Sequence, residues 1–318
     1  MIAPAAARAR PLVAVVGETA DANVPAKARL LASARTLGAD VVFHGSDLRG
    51  PAGARPIEAA DVVLVRGGSQ LPAATLDGIR NLQRAGMPVV NEPDSVAAAA
   101  NKLRTAVLLE QAGVAHPRTI PLAGPEDVAA AVDALGTPLV LKVPQGSQGK
   151  GITIHHSQRA AQEHADTVFG IYDRLAARNA LPHVDDLDPR MLAQEFLAEA
   201  GASDLRALVV REPSGSPRLV AAMQRTAADG SMRSNLHSGG SARPAVLSDA
   251  QRGQALAATD ALGLDVAGVD LIRSHQSPTG MMVVEVNSSP GGAIQQVTGA
   301  PVSDRIMETV LARARSRS

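Results

Sequence analysis

The sequence predicts an α/β protein in which a parallel βαβ sheet is followed by mixed α+β units. Short apolar runs alternate with longer amphipathic segments from Leu12 to about residue 95, and each parallel crossover needs a helix of this kind. The 318 residues are enough for about two domains. Hydrophobic residues make up 45% and charged residues 19%, which is typical of a folded chain rather than a disordered one.

The first unit is predicted over residues 11–95, after a flexible tail at residues 1–10. The GETA segment after its first strand lacks the G-x-G-x-x-G spacing of a dinucleotide fingerprint, so a nicotinamide site is not expected. In chain order the predicted elements are LVAVV, VPAKARLLASARTLGA, VVFH, VVLV, a helical stretch to Ala85, and MPVVNEP.

Strands and helices continue to alternate beyond residue 95, and no internal repeat is present. Helices are predicted at NKLRTAVLLEQAGV and PEDVAAAVDALG, a Gly-rich hairpin at TPLVLKVPQGSQGKGITIHH, a long helix over 157–183 and a strand at MLAQEFL. Strands DLRALVV and RLVAAM, a polar loop through Pro244, helix SDAQRGQALAATDALG, strands VAGVDLIR and MMVVEVN, and one final helix complete the prediction.

Composition excludes several functional classes. Lys plus Arg and Asp plus Glu both number 31, so no general attraction to nucleic acid or anionic lipid is expected. Three Phe, one Tyr and no Trp argue against stacking on single-stranded nucleic acid, and no apolar run reaches the ~18 residues of a membrane span. The absence of cysteine fits a reducing compartment, and we expect a cytoplasmic protein.

A Gly-rich loop and a neighbouring lysine form a candidate phosphate site. The glycines of the loop, Gly146 and Gly149 beside Ser147, would let backbone N–H groups close over phosphate oxygens. Lys142 lies in the apolar strand LVLKV, where a buried ammonium is costly unless an anion faces it. An ordinary hairpin turn and a lysine that extends to solvent are the alternatives.

Three oxygen-bearing side chains form a candidate metal site. Glu285 and Asn287 lie two apart on an apolar strand and so project from the same face, and Asp270 lies on another apolar strand. Carboxylate and amide oxygens suit Mg²⁺ or Mn²⁺. The alternative is that these residues cap strand ends at the surface.

The segment QRTAADGSMRSNLHSGG is rich in hydrogen-bond donors. Arg225, Arg233, Ser234, Asn235 and His237 lie among its glycines, a density of donors that suits phosphates or an anionic tetrahedral intermediate. A solvated surface loop would have a similar composition.

Six blocks of the sequence, in order over about residues 101–299, resemble the ATP-grasp ligases and, among them, the RimK family of glutamate ligases. They are NKLRTAVLLEQAGV, PLVLKVPQGSQGKGI, QEFLAEAGASDLRALVV, RLVAAMQRTAADGSMRSNLHSGGSA, DVAGVDLIRS and VVEVNSSPG. The resemblance implies an ATP-grasp fold: an N-terminal domain at 11–95 that precedes it, a central lid subdomain at 96–190 and a C-terminal subdomain at 191–318 with the metal site.

The resemblance also implies roles for individual residues. Lys102 and Lys142 would contact ATP phosphates, with Gly146, Ser147 and Gly149 in the loop over them. The Glu195-Phe196 strand would present backbone groups to adenine, and Asp204 would lie at the nucleotide. Arg233, Ser234 and Asn235 would line the phosphate and acyl end, Arg225 and Arg233 would stabilise the oxyanion, and Asp270, Glu285 and Asn287 would bind two Mg²⁺ or Mn²⁺ ions.

The implied activity is ATP-dependent joining of a carboxylate to an amine through an acyl phosphate, with glutamate or another amino acid added to a protein or peptide such as a ribosomal protein C-terminus. The acceptor half departs from the family: the segment from His156 to Arg190 is long, Gln224, Thr226 and Met232 replace more usual residues, and GGAIQQ follows NSSP. Two alternatives therefore stay open, a ligase of small-molecule or cofactor synthesis and a non-catalytic nucleotide-binding module. The sequence also leaves open which acceptor is used and whether the protein forms a homo-oligomer.

Overall fold

The computed structural model describes residues 10–17, 25–51, 53–146, 151–178, 189–228 and 239–315. Helices and three β-sheets alternate along these segments, which confirms the predicted α/β class. Within the described residues, no helix combines the length and the apolar character that a membrane span requires.

The first sheet is parallel, as predicted, with strand order β2-β1-β3-β4. All five side chains of the first strand are buried because helices cover both faces. A helix that follows the last strand, with Pro93 as its first residue, was not predicted. The elements are β1 (Leu12–Val16), α1 (Pro25–Thr36), β2 (Asp40–His44), β3 (Val62–Val65), α2 (Ala73–Arg84), β4 (Val89–Val90) and α3 (Pro93–Ala100).

The second sheet is antiparallel with order β5-β8-β6-β7. The antiparallel pairing of its third and fourth strands confirms the Gly-rich hairpin, although the turn at 147–150 lies outside the described residues. The long helix ends at Ala177, short of the predicted 183, and a first strand was missed. The elements are α4 (Lys102–Gln111), β5 (Thr119–Leu122), α5 (Asp127–Leu135), β6 (Leu139–Lys142), β7 (Ile152–His155), α6 (Gln158–Ala177) and β8 (Met191–Glu195).

The third sheet has order β11-β10-β9-β12-β13. Two predictions were wrong here. The predicted loop through Pro244 contains an edge strand, and the single final helix is two helices, because Gly299 ends the first at φ 70° and Pro301 precedes the second. The elements are β9 (Ser203–Arg211), β10 (Pro217–Thr226), β11 (Ser241–Pro244), α7 (Asp249–Ala261), β12 (Val266–Arg273), β13 (Met281–Asn287), α8 (Ala293–Thr298) and α9 (Val302–Arg315).

One hydrophobic core joins the first sheet to the third. Side chains of β1 and β3 share it with β9 and with Ile306, Met307 and Val310 of α9. Asn91, which is 1% exposed, adds a polar connection. Its side-chain NH2 group donates to the Val266 and Ser288 carbonyls at 2.8 and 2.7 Å. Its side-chain oxygen accepts from the backbone N–H groups of Asp265 and Val266. The carboxyl edge of the first sheet is thereby held against the end of β13. The predicted domain boundaries stay predictions.

Candidate active site

Lys102 lies at the first position of α4, directly after a capped helix start. The Asn101 side chain accepts hydrogen bonds from the backbone N–H groups of Leu103 and Arg104 at 3.0 and 3.1 Å, so the helix begins here. The Lys102 backbone N–H donates to the Pro144 carbonyl at 2.9 Å, and its Nζ donates to the Gly146 carbonyl at 3.2 Å. The lysine is therefore held against the start of the Gly-rich loop.

Lys142 ends β6 and approaches a side chain of the neighbouring strand. Its Nζ donates to Oε1 of Gln194, and the Gln194 amide donates onward to the Thr119 hydroxyl at 2.8 Å. Burial lowers the pKa of Lys142 to about 8, with the Lys102 charge adding to the effect and Glu285 opposing it. Burial also lowers the pKa of Lys102, again against the charge of Glu285. Both ammonium groups are poorly solvated and would gain from an anion.

The three predicted metal-site residues come together at the β12–β13 pair. Asp270 and Glu285 are direct cross-strand partners. When the Asn287 side-chain amide is oriented so that its nitrogen and its oxygen both have hydrogen-bond partners, it donates to Glu285 Oε1 at 3.1 Å and accepts from Arg206 Nη2 at 3.2 Å. Glu285 and Asn287 therefore share a face, as their spacing predicted. Burial, together with the Asp270 charge, raises the pKa of Glu285, while Arg206 and the two lysines oppose this.

Two arginines surround the Asp270 carboxylate, which is 4% exposed. Arg206 forms a bidentate pair with it at 2.6 and 2.5 Å, and Arg225 reaches it at 3.0 Å while also holding both oxygens of Asp204 at 2.7 Å. Burial disfavours the ionised form of Asp270, but the two guanidinium groups keep its pKa below the ordinary value. The described contacts of Arg225 and Asp204 are thus with this network, and their predicted oxyanion and nucleotide contacts stay predictions.

Glu195 and Phe196 lie at the end of β8, and their predicted backbone contacts with adenine stay a prediction. The Glu195 carboxylate is buried and accepts from the Arg118 backbone N–H at 2.8 Å, while Phe196 directly follows the strand and is half-buried. The carboxylate therefore contributes to the strand's own structure. Six of the candidate residues lie outside the described part of the chain: Ser147, Gly149, Arg233, Ser234, Asn235 and His237.

A cavity of about 490 Å³ opens beside Lys102 and Glu285. Gly146 and Asn287 also line it, together with residues that follow β1 and β3. Its volume is in the range of small-molecule sites. The cleft therefore joins the charged cluster to the first sheet.

The structure permits a test of whether these residues suit a metal ion. Among the described residues, no group of three or more His, Cys, Asp or Glu could hold a metal, so a cation would depend on two carboxylates and one amide. Such an all-oxygen set suits a hard ion like Mg²⁺ or Mn²⁺. The desolvated Glu285 beside Asp270 would also gain from an added positive charge. The residues present therefore fit such an ion.

Sequence reasoning missed two residues of this cluster. Arg206 lies two positions after Asp204 on β9, and the alternation of strand side chains would have put both on one face. Gln194 is a polar residue in an apolar strand, which is the same pattern that identified Lys142 as a candidate. A polar side chain in an otherwise apolar strand was thus the available indication in both regions.

Comparison with known proteins gives consistent matches. The family description of the RimK-like ATP-grasp domain matches residues 99–310. The chain is 37% identical over 253 residues to a protein of Cellvibrio japonicus named probable alpha-L-glutamate ligase, covering 79% of this chain and 76% of that one.

Solved structures also share the fold. A RimK domain protein ATP-grasp from Sphaerobacter thermophilus superposes with a TM-score of 0.65 at 21% identity, covering 94% of this chain and 99% of that one. An L-amino acid ligase from Bacillus licheniformis superposes with a TM-score of 0.65 at 16% identity, covering 96% and 75%.

Proposed function

Because the chain belongs to the RimK-like ATP-grasp family and is an ATP-dependent carboxylate–amine ligase, we propose that it adds glutamate to an acceptor that ends in a free carboxylate. The acceptor in this proposal is a protein or peptide C-terminus. The observation that carries the proposal is that Lys102, Glu285 and Asn287 line one and the same cavity. The name of the Cellvibrio relative supports glutamate as the amino acid.

The ATP end of the proposed site is formed by the two lysines and the loop between β6 and β7. Lys102 and Lys142 would bind phosphate oxygens, since both ammonium groups are desolvated and lie near the start of that loop. Gly146, Ser147 and Gly149 would cover the phosphates, and backbone groups at Glu195 and Phe196 would hold the base. Asp204, Arg233, Ser234 and Asn235 complete the proposed nucleotide contacts.

Asp270, Glu285 and Asn287 are the proposed ligands of Mg²⁺ or Mn²⁺. A bound ion of this kind would supply charge neutralisation at the phosphate oxygens. Arg206 already neutralises Asp270. The arginine is thus positioned to orient that carboxylate and to keep it ionised.

The chemistry proceeds in two displacements. An oxygen of the acceptor carboxylate attacks the γ-phosphorus of ATP, the bond from that phosphorus to the β–γ bridging oxygen breaks, and ADP leaves. The amine nitrogen then attacks the acyl carbon, the carbon–oxygen bond to phosphate breaks, and phosphate leaves as the nitrogen loses a proton. Lys102 and Lys142 would stabilise the charge that develops on the phosphate oxygens, and Arg225 and Arg233 the oxyanion of the second step.

Release of ADP and phosphate, measured with pairs of amino acids and acceptors, tests the proposal. We expect turnover with glutamate and a peptide that has a free C-terminal carboxylate, and a product heavier by one glutamyl residue in mass spectrometry. The same peptide with an amidated C-terminus is the matched control and should give no product. A product with another amine, or with a small-molecule acid in place of the peptide, would contradict the proposed substrates while leaving the ligase activity intact.

A further inference from the structure

The cleft beside the charged cluster opens at the switch point of the first sheet. β1 lies between β2 and β3, so the chain leaves β1 toward one side and returns on the other. In open parallel sheets, ligands bind outside the carboxyl ends of the strands at such a point. Gly17, which follows β1, and residues 66–70, which follow β3, line the cleft at this point.

Glycines let the ends of β1 and β3 approach each other closely beside the cleft. Gly17 has φ 90°, and a Cβ on it would lie 2.3 Å from the Arg66 carbonyl oxygen. Gly67 and Gly68 also have positive φ values, 96° and 53°. The two strand ends can therefore approach each other this closely only without side chains at these positions.

The walls of the cleft are predominantly cationic. Lys27 of α1, which is 9% exposed, Arg66 and Lys102 line it, and Glu285 is the one carboxylate among its described lining residues. Arg66 is held in place by a 2.9 Å hydrogen bond from Nη2 to the Pro290 carbonyl. A guanidinium has five N–H donors in a fixed fork and can keep such a bond while it binds a carboxylate.

The residues that line the cleft come from two parts of the fold. Lys102 of α4 and Glu285 of β13 lie where phosphate transfer is proposed, so a reacting carboxylate has to lie beside them. Lys27 and Arg66 belong instead to helix α1 and to the segment after β3. A substrate that fills the cleft would therefore bring any second anionic group to these two cations.

On the premise of the proposed ligase function, we infer that Lys27 and Arg66 form a specificity site for a second, non-reacting carboxylate. The enzyme then selects substrates that carry more than one carboxylate. The chemistry is that of an acidic amino-acid residue, whether free glutamate or the glutamate at the end of an acceptor peptide. A neutral isostere such as glutamine fills the same space without the charge.

Calorimetric binding in the presence of ADP tests this site, because it does not depend on turnover. The probes are free glutamate, free glutamine, a peptide that ends in two glutamates, and the same peptide ending in two glutamines. Lys27→Gln is expected to weaken binding of one acidic probe about 10- to 100-fold, the range for a lost charge-assisted hydrogen bond, with ADP affinity unchanged. The acidic probe whose binding is weakened identifies the source of the carboxylate.

Three further variants separate this role from a structural one. Lys27→Arg should restore the affinity for the acidic probe, and Arg66→Lys should weaken it because the fork is lost. Arg35→Gln, which removes an exposed cation from the same helix α1, should change nothing. Equal affinities of wild type, Lys27→Gln and Arg66→Lys for every acidic probe would overturn the inference, as would equal wild-type affinities for the acidic and neutral probes. Failure of the ligase proposal would be seen separately, as tight ADP binding without ADP production from ATP in the turnover assay.

Discussion

Raising the pH above about 8 should weaken ATP binding through Lys142. Its ordinary pKa of 10.5 is lowered to about 8 by burial, with the Lys102 charge adding to the effect and the Glu285 charge opposing it. If phosphate binds only the ammonium form, the dissociation constant for ATP should rise about tenfold per pH unit above the pKa of the free protein. The rise continues until the pH reaches the higher pKa that Lys142 has beside bound phosphate.

The assay is calorimetric titration of the protein with ATP and magnesium salts from about pH 7 to pH 9.5, a window that brackets the shifted pKa. Lys142→Arg is the matched control, since a guanidinium stays charged throughout this range. The variant should show a flatter dependence, while the contribution of Lys102 remains in both proteins. Parallel curves for wild type and Lys142→Arg would refute the reasoning.

The same shift has a consequence for stability. A lysine in the unfolded chain keeps its proton up to about 10.5, whereas Lys142 in the folded protein loses it near 8. Between these values the unfolded state binds more protons, so this residue makes the free energy of unfolding rise with pH. Denaturant titration of wild type and Lys142→Met across that window would detect the difference in slope, and identical slopes would contradict it.

Three further predictions concern the carboxylate cluster and its support. Glu285→Gln should lower metal-dependent turnover by at least about 10- to 100-fold, the cost typical of losing even an outer-shell partner of a metal. Thermal stability should not fall, because the substitution removes a desolvated carboxylate. Near-normal turnover would contradict the role of Glu285 as a ligand. Asn91→Ala should reduce the free energy of unfolding by about 3 kcal/mol or more, because four buried backbone groups lose their partner; a change below about 1 kcal/mol in denaturant titration would refute this. Gly17→Ala should lower the thermal stability of the protein more than Gly38→Ala does. Both glycines have positive φ, but only an alanine at position 17 would place its Cβ 2.3 Å from the Arg66 carbonyl oxygen. Equal losses of stability in thermal unfolding would show that backbone strain alone matters.

Local pattern was sufficient for the longer elements. The five-residue apolar run of β1 and the apolar spacing of α4 predicted these elements because each must bury a continuous face. The strand β11 was missed because Ser-Ala-Arg-Pro has no apolar alternation and pairs only at a sheet edge. The boundary between α8 and α9 was missed because apolar spacing continues on both sides of it.

Part of the candidate site could also be predicted from the sequence. A polar residue inside an apolar strand is unusual, and this rule identified Lys142, Asp270, Glu285 and Asn287. Strand alternation explains why Glu285 and Asn287 meet. The rule does not say which strands become neighbours, so the pairing of Asp270 with Arg206 across 64 positions could not be predicted.

The sequence by itself determined the α/β class, the family and the polar side chains that apolar strands carry, because these depend on short-range periodicity and on motif spacing. Tertiary structure alone decided that two arginines enclose Asp270 and that Lys27 and Arg66 line the same cleft as Glu285. The physical reason is that the Asp270 contacts depend on which strands become neighbours in the third sheet, whereas the shared cleft depends on how the first sheet docks on the third. That docking is set by a shared core and by the buried Asn91, whose partners lie 174 to 197 positions away in the chain.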